Sequence, residues 1–276
     1  MNSKLILLST LILFFFTSFQ ATDEKKTTLE NKAALLEVSN TYKLKTIVID
    51  AGHGGKDPGT HGKTSKEKHV ALAVALELGR IVKENLPDVK IIYTRKTDEF
   101  IELHERANIA NRNNADLFIS IHCNAISKSS IAGTETYVMG LHKTKGNLNV
   151  AVRENESILH EDNYIDNYEG FDPTSTEGYI LFSLFQNAYL ENSLNVADKI
   201  EEQFKTRVER HSRGVKQAGF LVLWKTSMPS VLVEIGYLTN VKEEKYLNQK
   251  KNQVYIASGI YRAIKSYKNE LEAIGK

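Results

Sequence analysis

The 276-residue chain is long enough for one sizeable domain with a substantial core, and at 41% hydrophobic and 25% charged it has the composition of an ordinary globular protein. A formal net charge of +2, spread over interspersed acids and bases, excludes the charge signature of a nucleic-acid binder. A single cysteine, Cys123, excludes an internal disulfide, so stability has to come from the core or from a bound metal.

The chain begins "MNSKLILLSTLILFFFTSFQATDEKK": Lys4, an apolar run from Leu5 to Phe16, then small and polar residues up to Asp23. That run is too short to span a membrane comfortably and fits the core of a signal peptide covering residues 1–21. Cleavage after Ala21 puts Phe19 where a small residue is usual, so an uncleaved anchor is the alternative. Either way the body is expected to be exported to the periplasm or cell envelope. Residues 22–43, rich in lysine and glutamate, read as a linker.

Strand and helix then alternate. "TIVID" predicts a strand that stops at the glycine-rich loop "AGHGGKDPGT" (51–60). Residues 66–86 carry Val70, Val74, Leu78, Ile81 and Val82 at helical spacing. "VKIIYTR" (89–95) predicts a strand, "ELHERANIANRNN" (102–114) a helix with Leu103, Ala107 and Ala110 on one stripe, and "DLFISIH" (116–122) and "GTETYVM" (133–139) two more strands. Two apolar runs follow late, "GFLVLW" (219–224) and "SVLVEIG" (230–236), then a long closing helix near 250–270. The pattern predicts an α/β fold: a twisted, mainly parallel sheet with helices on both faces, in a single catalytic domain over 44–270.

The loop around His53 has three readings: a phosphate loop, a metal ligand, or a tight turn. A Walker-type loop needs glycine at 50 and Ser or Thr at 57, where Asp50 and Asp57 stand; a dinucleotide fingerprint fails at Asp57 as well. A turn or a metal site remains, the latter at the carboxyl end of a strand, where open α/β sheets keep their ligands. His122 closes another strand, and Glu234 sits in a run so apolar that an unpaired carboxylate there is costly. If these strands are neighbours, their tips share one edge with Glu67, in the first turn of the following helix. Two histidines and a glutamate make a three-ligand zinc site with an open position for water, and a further glutamate can take a proton. Taken singly, a strand-end histidine is more often structural, and Glu67 reads as a first-turn helix glutamate. Cys123, next to His122 on an alternating strand, is expected to face away into the core.

The set "TIVIDAGHGGKDPG", "KEKHVALAVAL", "TRKTDEFIELHERANIANRNNADLFISIHCNA" and "MPSVLVEIGYLTN" resembles the zinc-dependent N-acetylmuramoyl-L-alanine amidases of the Amidase_3 type, in order from about residue 45 to 268. The resemblance implies Zn2+ on His53, Glu67 and His122, with Glu234 as the catalytic glutamate. It further implies mainly structural roles for Arg95, Asp98, Leu103 and Arg106, the last as an ion-pair partner. The implied reaction is hydrolysis of the amide joining N-acetylmuramic acid to L-alanine in peptidoglycan, for wall remodelling or daughter-cell separation. A zinc carboxypeptidase acting on wall peptides is the alternative, and a non-catalytic peptidoglycan-binding protein a third reading. Residues 145–195 resemble the helical insertion of division-associated amidases, which covers the cleft until an activator protein displaces it. Glu154 and Glu156 are the acids placed to reach toward zinc from it, against the alternative of ordinary solvated acids. A helix from about 182 to 204 is expected to pack on the sheet, no separate wall-binding module is evident, and a monomer is expected.

Overall fold

The computed structural model describes residues 43–128, 130–172, 175, 178–179 and 188–274. The expected signal peptide and all but Lys43 of the linker lie outside these residues, as does part of the 145–195 region. One compact unit spans Leu44–Asn269; Lys43 and the last residues of the closing helix fall outside it.

Among the described residues one six-stranded sheet runs in the order β2-β1-β3-β6-β4-β5. The strands are β1 (Thr46–Ala51), β2 (Lys90–Tyr93), β3 (Leu117–Asn124), β4 (Thr134–Met139), β5 (Ser212–Ala218) and β6 (Ser230–Tyr237). β2, β1, β3 and β6 are parallel neighbours. β4 runs antiparallel to β6, and β5 follows β4 in parallel. The reversal has a local cause: the link from Asn124 to Thr134 is too short for a crossover helix, so the chain has to run back. The central strands β1, β3 and β6 are apolar on both faces, as strands covered by helices on each side require.

The helices are α1 (Glu67–Asn85), α2 (Leu103–Arg112), α3 (Lys145–Asn155), α4 (Tyr164–Asn167), α5 (Leu190–Thr206), α6 (Leu221–Trp224), α7 (Val241–Leu247) and α8 (Lys250–Ile274), with a 3-10 turn over Glu156–His160. Val48, Phe118, Leu232, Tyr137 and Met139 share one core cluster with α2, α3 and α6. The residues between them on each strand, such as Ile47, Ile119 and Val233, are buried on the opposite face, where α1 packs on β1 to β3 and α5 on β4 to β6.

The apolar run 219–224 contributes the short helix α6; the strand before it, β5, is the half-polar "SRGVKQA", which the sequence reading did not mark. β5 is a sheet edge that covers only one partner strand, so it needs no continuous apolar run. The described part of the expected 182–204 helix is α5, whose Val196, Ala197, Ile200 and Phe204 are buried.

Candidate metal centre

β1, β3 and β6 are adjacent, and their C-terminal tips present His53, His122 and Glu234 on one edge. His122 and Glu234 are register partners. His53 takes φ +60°, the left-handed region that costs a non-glycine residue about 1–3 kcal/mol. The loop closes on itself through paired Gly54 and Asp57 backbone hydrogen bonds at 2.9 and 3.0 Å, and two buried guanidinium groups anchor it from below. Arg106 donates to the His53 and Ala51 carbonyls at 2.8 Å each and pairs with Asp50 at 2.8 Å. Arg95 donates to the carbonyls of Ala51, Gly52, Thr97 and Lys68. Asp98 accepts from the Gly55 amide at 2.8 Å and from Lys68 at 2.7 Å. Gly52 lies against the His122 ring, where any Cβ would collide with it.

Glu67 opens α1 fully buried, and backbone amides fix both its oxygens: Thr60 N–H at Oε2 and Cys123 N–H at Oε1, at 2.8 and 2.7 Å. Its Oε1 lies 3.2 Å from His53 Nε2 and 3.1 Å from His122 Nδ1. Glu154 comes down from α3, its Oε2 standing 3.0 Å from His53 Nε2 and 2.8 Å from His122 Nδ1. Ligand atoms of these four buried residues lie within 4.8 Å of one another. His53 Nε2 and Glu154 Oε2 are buried and meet no well-aligned hydrogen-bond partner, so both atoms point into the space shared by the four residues. Two imidazoles and two carboxylates converging in this way fit a borderline divalent cation.

The charges in this cluster balance tightly. Burial works against a charged imidazole, but the carboxylates of Glu67, Asp57 and Glu154 outweigh it: His53 is held well above its ordinary value and His122 is pushed up to about 9. Glu67 is brought down to about 2 by the histidines, against burial and the Glu154 charge. Glu234 goes the other way: burial first, then the negative Glu154 beside it, push its carboxyl well above the carboxylate range, with Arg153 and His122 opposing.

Three contributors were not singled out from sequence. Asp57 accepts from His53 Nδ1 at 2.8 Å and fixes the ring with Nε2 toward the cluster. Ser157, in the 3-10 turn, donates to Asp57 at 2.6 Å. Arg153 of α3 bonds both Glu154 Oε1 at 2.7 Å and Glu234 Oε1 at 3.2 Å. The Asp57 signal was present in the loop, an acid four residues after His53; the other two depend on how the 145–172 segment folds back. Glu156, expected beside Glu154, is exposed at the rim of a cavity of about 200 Å³ and outside the ligand cluster, because its position two residues on turns it off the inward face of the chain. Cys123 is fully buried in the core, and its thiol is pushed up by burial.

Fold and site together define an α/β protein with a buried His/Glu cluster of candidate metal ligands at the edge of its mostly parallel sheet. Residues 47–266 match the Amidase_3 family, N-acetylmuramoyl-L-alanine amidase. The N-acetylmuramoyl-L-alanine amidase AmiA of Escherichia coli K12 is 34% identical over 224 residues, 81% of this chain and 76% of that protein. YqiI of Bacillus subtilis is 32% identical over 223 residues, covering 81% of this chain and 84% of its own. Among solved structures, the catalytic domain of the amidase CwlV from Paenibacillus polymyxa superposes with a TM-score of 0.59 at 31% identity, covering 81% of this chain and 97% of that one. The CwlD amidase of Clostridioides difficile, solved in complex with the GerS lipoprotein, gives a TM-score of 0.59 at 28% identity, covering 81% and 98%. The chain belongs to the Amidase_3 family of N-acetylmuramoyl-L-alanine amidases, and peptidoglycan is its substrate.

Proposed function

We propose that the chain is a zinc-dependent amidase with His53, Glu67 and His122 as metal ligands and Glu234 as general base, held closed by the 145–172 segment. The observation that carries this reading is the convergence of His53 Nε2, Glu67 Oε1, His122 Nδ1 and Glu154 Oε2 beside Glu234. Zinc held there supplies a Lewis acid for water and for the amide carbonyl. Glu234 takes the proton of the attacking water and delivers it to the leaving alanine amine; a carboxyl raised by burial serves both transfers near neutral pH. Asp57 keeps the His53 ring aimed, and Arg95 and Arg106 keep the loop in its strained shape.

In this arrangement α3 occupies the site twice: Glu154 would add a fourth ligand atom beside His53 and His122, and Arg153 covers Glu234. Opening therefore calls for an activator protein that displaces α3, a reading supported by the CwlD relative having been solved with the GerS lipoprotein. Export fits the apolar run Leu5–Phe16 and a substrate outside the membrane. Daughter-cell separation is the cellular role we assign, and a deletion strain that fails to form chains of cells would count against it.

The decisive experiment measures zinc per chain and the new ends released from purified wall. In the Arg153→Ala/Glu154→Ala background, which this reading expects to be open, the chain with Glu234 and the chain with Glu234→Gln should both hold one zinc, and only the former should release free alanine amino termini from intact glycan. Zinc loss from Glu234→Gln would make that residue a ligand, and a wild type that binds no zinc would sink the reading.

A further inference from the structure

α3 divides the cleft in two, and Arg153 lines both halves. The half on the β1 side is acidic, bounded by Asp57, Glu67 and Glu156. The other, a cavity of about 320 Å³, opens toward β4 and β5 and has the opposite character: Arg153, Arg213 and Lys216 line it against one carboxylate, Glu135. Glu135 and Glu234 are direct cross-strand partners on β4 and β6, so this cavity starts one strand away from the proposed base.

Glu135 is buried, and five donors meet on it. Asn124 Nδ2 and the Tyr137 hydroxyl bond its Oε2 at 3.1 and 2.7 Å. The Tyr237 hydroxyl, Arg213 Nε and Lys216 Nζ bond its Oε1 at 2.6, 2.9 and 2.5 Å. Burial works against its charge, but Lys216 and the tyrosine hydroxyls hold it below the usual carboxylate range. One acid thus anchors two cations and leaves the pair with a net positive charge. Arg213 uses only Nε for this contact; among the described residues no protein acceptor meets its two terminal nitrogens, which leaves a forked donor of the geometry a carboxylate fills. A neutral sugar would not call for that excess of charge.

We infer that Arg213 and Lys216, positioned by Glu135, form a subsite for a free carboxylate of the stem peptide on the leaving-group side of the scissile amide. From Glu234 to β5 is two strand spacings, about 10 Å. An extended peptide covers that distance in about three residues, so the carboxylate belongs to the second or third residue beyond the cut. The inference rests on the amidase reading of this cleft.

The test is binding, which needs no turnover. The full chain, and a full chain carrying Glu154→Gln, are titrated calorimetrically with the γ-linked tripeptide L-Ala–D-Glu–L-Lys and with the same peptide amidated at both its glutamyl and its lysyl carboxyl. The acid form should bind about tenfold tighter or more, the margin a charge-assisted bidentate contact provides. The double variant Arg213→Gln/Lys216→Gln should lose that preference. The charge-conserving double Arg213→Lys/Lys216→Arg should keep much of it, and both should retain native circular dichroism. Equal binding of acid and amide by both chains, binding of neither peptide, or a preference that survives in the folded glutamine double variant would overturn the subsite. Mapping the ends that wild type releases from whole wall checks the amidase reading separately: ends other than free alanine would defeat that reading whatever the peptides do.

Discussion

Asp57 is the residue whose removal separates orientation from ligation. It touches His53 only at Nδ1, the nitrogen turned away from the ligand cluster, and it also accepts from Ser157 and the Gly59 amide. Asp57→Asn keeps the shape but loses the charge that fixes the tautomer. Zinc affinity should fall about 10–100-fold, read by competition with a chromophoric chelator, while the far-ultraviolet spectrum stays native. Unchanged affinity would mean that the loop backbone alone orients the ring. Arg106 works one layer further back. It is fully buried, and so is its partner Asp50, which also accepts from Thr94 and Ser120 at 2.6 Å each. Arg106→Leu leaves that carboxylate buried without its cation, so the variant should lose about 3–5 kcal/mol of stability in urea unfolding. A loss under about 1 kcal/mol would show that the hydroxyls suffice to hold Asp50.

At the scale of elements, the proposed function makes α3 the part whose position sets whether the site is open. Its N-cap is regular, with Thr144 accepting from the Asn147 amide at 3.1 Å. The segment after it is tied down by Glu161, which accepts from the Leu103 amide at the start of α2 at 2.7 Å and from the Tyr168 hydroxyl. An acid at that helix N-terminus is favoured by the helix dipole as well as by the bond itself. Among the described residues of α3, Arg153 and Glu154 make its ion pairs to the proposed catalytic groups, so a full-length Arg153→Ala/Glu154→Ala variant should raise basal release from purified wall about tenfold or more, at least the shift expected from losing a charged contact of about 1.5–3 kcal/mol. An unchanged rate with zinc still bound would leave α3 as a cover without inhibitory force. The same element marks the limit of what the sequence could convey. β1, α1, β3 and β6 were legible because burial on both faces writes itself as apolar runs or helical spacing, and a polar residue at the end of such a run stands out; His53, His122 and Glu234 all do. β5 was not, since an edge strand keeps half its positions polar. Glu154 was reached only through the family resemblance, while Arg153 and Ser157, on a short helix and a turn, take their inward direction from contacts with Glu234 and Asp57, 81 and 100 positions away, which no local pattern records.

At the scale of the whole molecule, the three proposed zinc ligands come from separate pieces of chain: the loop after β1, the first turn of α1 and the tip of β3. A metal bound there stabilises the folded state over the unfolded one by about 4 kcal/mol when present at a thousand times its dissociation constant. That gain depends on pH with a definite sign. Without metal, the site's carboxylates keep the histidines protonated, His122 up to about 9 against an ordinary 6.5, so zinc must displace those protons and binds more tightly as pH rises toward 9. The chelated protein follows the opposite course. Its raised histidines contribute stability that is fully present below pH 6.5 and lost as pH climbs through about 9, because the folded state binds more protons than the unfolded one. Glu67, held at about 2, stays ionised throughout and does not reverse the trend. Thermal unfolding from pH 6 to 9, with excess zinc and with chelator, should therefore give melting curves that move apart as pH rises. A gap that stays constant would mean that the histidines are already neutral before the metal arrives, and a gap that narrows would place the metal's main ligands elsewhere in the chain.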